Sequence, residues 1–201
     1  YLNGSELTDI TIPSDITEIK DYAFACCTSL TSVTIPDSVT EIGWGAFDSC
    51  TSLTSVTIPD SVTEIGDFAF EDCTGELIIN SKIVETNYTD DNYPASYNYG
   101  WLYNAKFTKV TIGNSVTKIG DKAFYNYTSL TTITIPDSVT KIGKYAFTYC
   151  DSLTSVEISD LSAWCKIDFG SYDANPLCYA KKLYLNGSEL TDITIPSDIT
   201  E

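Results

Sequence analysis

The chain has 201 residues, 28 acidic side chains against 11 lysines, and a net charge of −17. It contains no arginine and no histidine. Rows of phosphate contacts, bidentate base readout, and imidazole-based catalysis or metal ligation therefore have no residues to work with. Apolar content of 43% excludes a disordered chain, and no apolar run approaches the roughly 20 residues that a membrane span needs.

From the first residues onward the dipeptide Ile-Pro recurs, at Ile12-Pro13, Ile35-Pro36 and Ile58-Pro59, in steps of 23 residues. A fixed period of this length marks stacked coils, none of which can bury its own apolar face alone. Within Leu30 to Cys50, the alternation Val33-Thr34-Ile35 predicts a short strand that Pro36 ends, because proline has no N–H for a ladder. Asp37-Ser38 supplies a turn. A second short strand with Val39 and Ile42 inward follows, Gly43 permits a corner, and Trp44 to Asp48 carries Ala46-Phe47 into the core. Phe24, Phe47, Phe70, Phe124 and Phe147 share one slot and are expected to form a structural ladder. Three residues later Cys27, Cys50, Cys73 and Cys150 share another, with Tyr127 in register, which predicts a ladder of buried thiols rather than a disulfide framework.

The period first breaks between Ile58 and Ile112, 54 residues that divide as 23 and 31. The surplus falls near Tyr88, Tyr93, Tyr97, Tyr99, Trp101 and Tyr103. Long loops on rigid scaffolds are where binding residues concentrate, and tyrosine offers a flat apolar face with a polar tip. These six are the candidate binding residues; alternatively, their rings pack the protrusion onto its own coil.

The 23-residue step resumes at Ile112, Ile135 and Ile158. Outward strand positions read Thr11, Thr34, Thr57, Thr111, Thr134 and Thr194, with Glu157 as the exception. The slot before the second-strand Ile holds Glu18, Glu41 and Glu64, then Lys118 and Lys141. These carboxylates stand in a line and not around a cavity, so no metal site is expected. From Ile158 to Ile195 the spacing is 37 residues, or 23 and 14. Leu161 to Ile167 predicts a short helix, and Leu183 to Leu185 with Leu190 to Ile195 predicts two strands around Asn186-Gly187. Cys165 and Cys178 form the one pair whose bridging is worth testing. Variant coils are thus expected at about residues 74–107 and 159–190, within one uncapped solenoid spanning residues 1–201.

The unit CTSLTSVTIPDSVTEIGWGAF, with its close copies over Leu7 to Cys73, Phe107 to Ile158 and Leu185 to Glu201, resembles the BspA-type leucine-rich repeat. The resemblance implies a right-handed leucine-rich repeat solenoid of short parallel strands and short helical turns with little helix. It also implies a secreted or cell-surface protein, several such proteins being adhesins, and it implies no catalysis and no cofactor.

The segment Tyr1 to Glu18 recurs identically at Tyr184 to Glu201, an offset of 183 residues. The chain therefore reads as an excerpt of a larger tandem array, or as a subunit that associates end to end with copies of itself. Two functional readings stand: a non-catalytic scaffold that binds protein or glycan, and a passive structural spacer without a specific ligand. Uniform coils favour the spacer, and the tyrosine-rich loop favours the scaffold.

Overall fold

The structure is a computed structural model that describes residues 8–85, 101–194 and 196. In chain order the strands are β1 (Asp9–Thr11), β2 (Glu18–Ile19), β3 (Ser32–Thr34), β4 (Glu41–Ile42), β5 (Ser55–Ile58), β6 (Glu64–Ile65), β7 (Thr74–Ile79) and β8 (Lys106–Ile112). They continue as β9 (Lys118–Ile119), β10 (Thr132–Ile135), β11 (Lys141–Ile142), β12 (Ser155–Ile158), β13 (Asp168–Phe169), β14 (Leu183–Leu185) and β15 (Ser188–Glu189). Two short helices, α1 (Leu161–Cys165) and α2 (Leu177–Ala180), lie in the last coil.

The coils stack in parallel. The main wall is a nine-stranded sheet ordered β1-β3-β5-β7-β8-β10-β12-β14-β15, and every pairing but the last is parallel. Its register is the sequence period: Ile10 lies beside Val33, Thr132 beside Ser155, and Ile133 beside Val156. Parallel strands must return to the same edge, so the rest of each coil forms a second wall and a turn. The second wall is split into two three-stranded sheets, β2-β4-β6 and β9-β11-β13. The Glu18, Glu41 and Glu64 row stands on the first, and Lys118 and Lys141 stand on the second, so the charge change in the sequence coincides with this break.

The interior is the predicted ladder. Phe24 stacks on Phe47 and Phe47 on Phe70, each at 5.3 Å between ring centroids and nearly coplanar. Phe124 and Phe147 stack likewise at 5.2 Å. Between these two piles the spine is interrupted: Phe70 meets Phe107 at 6.1 Å and Trp101 at 6.2 Å, both tilted. Phe107 is fully buried there, a core role that the ladder slots do not reveal.

The thiol ladder is present too. Cys50 donates to the Phe24 carbonyl (3.2 Å), Cys73 to that of Phe47 (3.0 Å) and Cys150 to that of Phe124 (3.1 Å). Each bond ties a turn to the coil before it. Cys27 is half-buried, and Tyr127 fills the equivalent slot with its ring buried. All seven cysteines are free, so Cys165 and Cys178 are not bridged.

Four local expectations are corrected. The 54-residue gap divides into coils of 21 and 33, because Ile79 pairs with Ile58 on one side and Ile112 on the other. Ile78 therefore occupies the threonine row between Thr57 and Thr111, and Tyr184 follows Glu157, whereas Thr194 lies outside the sheet. The final hairpin does turn at Asn186 and Gly187, with φ of 50° and 80°, but its second strand is Ser188–Glu189. Gly43 is needed for a different reason than a corner: a Cβ there would sit 2.5 Å from the Asp21 backbone nitrogen, so it is the close approach of coils that excludes a side chain.

Candidate functional site

The 33-residue coil joins β7 to β8, which pair in parallel with one register shift between Gly75 and Glu76, while the pairing of β5 with β7 is unshifted. Of its candidate residues, Tyr88, Tyr93, Tyr97 and Tyr99 lie outside the described residues. Trp101 and Tyr103, at its exit, are half-buried and pack on the scaffold. The Trp101 ring meets Phe70 edge-on, and Tyr103 meets Phe68 at 5.2 Å in a T-shaped contact. The same exit is anchored by Asn104, whose amide donates to Glu71 (3.0 Å), and by the Lys106–Asp72 ion pair at 2.7 Å. For these two aromatic residues, packing onto the coil stack is what the structure shows.

Tyr103 also ends a longer feature. Tyr22 contacts Trp44 at 4.8 Å, Trp44 contacts Phe68 at 4.9 Å, and Phe68 contacts Tyr103. Four successive coils thus carry one continuous stripe of aromatic rings along the outer turn face. Tyr22 is 55% exposed and Trp44 38%, so the stripe is a surface and not a core layer. Its rings are tilted to one another by 56° to 75°, a herringbone rather than a flat platform.

The backbone explains why the rings point outward. Tyr22 and Phe68 precede the Ala-Phe pairs of their coils and adopt left-handed φ of 56° and 61°. Gly45 takes that slot in the coil between them, with φ of 56°, and the Tyr22 ring lies 3.1 Å from where a Cβ would stand. The Tyr22 ring thus occupies the space that Gly45 leaves, and it meets Trp44 there edge-on. The turns are fastened across coils by main-chain bonds: Tyr22 N–H to Trp44 O (2.9 Å), Phe24 N–H to Ala46 O (2.8 Å), and Gly45 N–H to Asp67 O (3.1 Å). The Asp21 carboxylate accepts from the Trp44 N–H at 2.7 Å.

Later coils use the same scaffold with different chemistry. Lys144 N–H donates to Asp121 at 2.8 Å, repeating the Trp44–Asp21 arrangement, and Lys122 adopts the Tyr22 conformation with φ of 58°. Tyr125 and Tyr149 meet there at 5.4 Å beside these lysines. The change follows the whole chain: residues 1–85 hold 15 acidic side chains and 2 lysines, residues 101–201 hold 11 and 9.

On the sheet face the polar side chains satisfy one another. Thr132 and Ser155 hydroxyls lie 2.9 Å apart, Thr134 donates to Glu157 (3.2 Å), and Glu76 accepts from Thr111 (3.0 Å) and pairs with Lys109 (3.2 Å). Two open depressions, of about 510 and 480 Å³, flank the stack; the first lies between Asp137, Val139 and α1, the second beside Asp37, Asp60 and Asn80. Among the described residues no group of Cys, Asp and Glu could hold a metal ion, and no helix is long and apolar enough to cross a membrane.

The sequence reading missed Tyr22, Trp44 and Phe68. A comparison of the residue before each Ala-Phe pair could have found two of them.

The BspA-type leucine-rich repeat region model matches residues 1–90 and 96–201, in 6 copies. Among solved structures, a leucine-rich repeat protein from Eubacterium ventriosum is 24% identical with a TM-score of 0.52, over 96% of this chain and 45% of that one. The leucine-rich repeat protein of T. pallidum is 23% identical (TM-score 0.49, 84% of this chain, 78% of that one). A leucine-rich cell surface protein from Faecalibacterium prausnitzii is 25% identical (TM-score 0.33, 81% of this chain, 62% of that one). This chain thus spans about half to two-thirds of the length of the Eubacterium and Faecalibacterium proteins. No curated protein matches it.

Proposed function

This chain belongs to the BspA-type leucine-rich repeat family, and from that premise we propose that it is a non-catalytic scaffold that binds protein or glycan at the cell surface. The observation that carries the reading is the 33-residue coil, inserted while β7 and β8 stay paired in parallel from Glu76–Lys109 to Ile79–Ile112, with a single register shift between Gly75 and Glu76. The coil is anchored on the stack at its exit, where Trp101 and Tyr103 pack, and binding residues carried on a rigid scaffold have a lower ordering cost. The extracellular setting is the one that the family resemblance implies. The test is a glycan and matrix-protein array probed with the whole chain and with alanine at Tyr93, Tyr97 and Tyr99. Saturable binding that the triple substitution abolishes supports the loop; unchanged binding removes the loop from the reading.

The second reading is a structural spacer, or a module that stacks end to end with copies of itself. The identical segments Tyr1 to Glu18 and Tyr184 to Glu201 favour it. It predicts no saturable ligand, and sedimentation that is independent of dilution would exclude the stacking form.

A further inference from the structure

We propose that the outer turn face of residues 20–73 and 101–104 docks an extended lysine- or arginine-rich segment of a partner protein on the stripe formed by Tyr22, Trp44, Phe68 and Tyr103. This rests on the reading of the chain as a binding scaffold and shares Tyr103 with the tyrosine-rich loop, but it does not rest on Tyr88, Tyr93, Tyr97 or Tyr99.

Three observations select that occupant. First, the rings run continuously across four coils at 4.8 to 5.2 Å, about the rise between stacked strands, so the stripe is an extended track and not a pocket. Second, the turns that bear the rings also carry carboxylates, and Asp21 accepts from the Trp44 N–H itself. Asp21 and Asp67 precede Tyr22 and Phe68, while Asp48 and Glu71 follow the buried Phe47 and Phe70. The one lysine in these turns, Lys20, is paired with Glu18. Third, the herringbone tilt exposes ring faces at alternating angles. A compact ammonium or a planar guanidinium can each seat on a single ring face, whereas the flat face of a sugar ring stacks best on a broad flat platform.

The protein carries its own contrast. Where the turns of the later coils repeat this backbone, Lys144 stands in the Trp44 position and Lys122 in the Tyr22 position. A cationic chain is therefore drawn more strongly to the first half of the face than to the second. The charge balance of the two halves has the same sense, with residues 1–85 holding 15 acidic side chains against 2 lysines. Electrostatic attraction speeds and orients encounter, and cation–π contacts at the rings supply a short-range component that simple polyanion binding lacks.

The experiment is a fluorescence and calorimetric titration of the whole chain with two probes. One is a synthetic extended peptide alternating Lys or Arg with Gly; the other is a panel of neutral oligosaccharides. The expected result is saturable peptide binding that Trp44→Ala weakens about tenfold, the size of a desolvated cation–π contact, and that Trp44→Phe largely restores. Tyr149→Ala, on one of the exposed aromatic residues of the lysine-bearing half, leaves binding unchanged. Circular dichroism confirms that each variant is folded. Equal affinity of the wild type, Trp44→Ala and Tyr22→Ala would reduce the interaction to diffuse charge and overturn the proposal. So would oligosaccharide binding at the stripe without peptide binding. Loss of glycan or matrix-protein binding in the Tyr93, Tyr97 and Tyr99 variant alone, with these stripe results negative, would overturn the stripe and leave the loop standing.

Discussion

The Cys73 thiol donates to the carbonyl of Phe47, 3.0 Å away and 26 residues earlier. The contact spans one coil, and Cys50 and Cys150 repeat it. All three thiols are fully buried, whereas Cys26 and Cys178 are exposed. Reactivity requires an accessible thiolate. In the folded protein at pH 8, Cys26 and Cys178 are expected to be alkylated at least tenfold faster than Cys50, Cys73 and Cys150. Timed labelling with peptide mass mapping reads this directly, and equal rates would mean that the ladder is open.

The same burial gives the protein an alkaline weakness. Cys150 is pushed up to about 12 from an ordinary 9.0 by desolvation. The Cys73 thiol is raised by its hydrogen-bonded neighbour Cys50 and by burial, and the Tyr127 phenol by burial. The unfolded chain loses these protons first, so it holds fewer protons than the folded chain between pH 9 and 12. Stability then falls as pH rises through that window and is fully retained below it. Chemical denaturation at pH 7, 9 and 10.5 is expected to show a flat first interval and a loss of about 1–3 kcal/mol in the second.

Tyr127 is an imperfect member of the ladder. Its hydroxyl is buried and makes no hydrogen bond among the described residues. A buried polar group left unsatisfied costs about 1–3 kcal/mol. Tyr127→Phe keeps the ring and is expected to raise stability by about 1 kcal/mol, read as a higher denaturation midpoint with an unchanged slope.

How much of this was legible in the sequence differs from residue to residue. The core was readable because Phe24, Phe47 and Phe70 repeat at the period at which coils stack, so phase in sequence equals position in space. The boundary between the 21- and 33-residue coils was not, because Ile79 is followed by Asn80, lacks the proline that marks Ile12, Ile35, Ile58 and Ile135, and stands off the 23-residue step that places Ile112 and Ile158. The aromatic stripe was hidden for a geometric reason. The period sets Trp44 opposite Asp21 and Asp67, yet its ring meets Tyr22 and Phe68, one residue out of phase, where Gly45 has no side chain and the Tyr22 ring packs over it. Tyr88, Tyr93, Tyr97 and Tyr99 remain a proposal drawn from composition.

Coil spacing constrains Gly43 far more than the final turn constrains Gly187. A Cβ on Gly43 would meet Asp21 backbone at 2.5 Å, whereas one on Gly187 would meet nothing within 4 Å and suffer only its φ of +80°. Gly43→Ala is expected to cost more than about 3 kcal/mol, and Gly187→Ala about 1 kcal/mol. Comparable losses at both sites would contradict the close stacking of neighbouring turns.

The stack itself is tested most directly by a double-mutant cycle on the phenylalanine ladder. Phe47 and Phe70 are coplanar neighbours at 5.3 Å, while Phe147 belongs to the second pile, beyond the long coil. Leucine substitutions at Phe47 and Phe70 should couple by more than about 0.5 kcal/mol, and those at Phe47 and Phe147 should add independently. Additivity in the first pair, or strong coupling in the second, would contradict a core built coil upon coil.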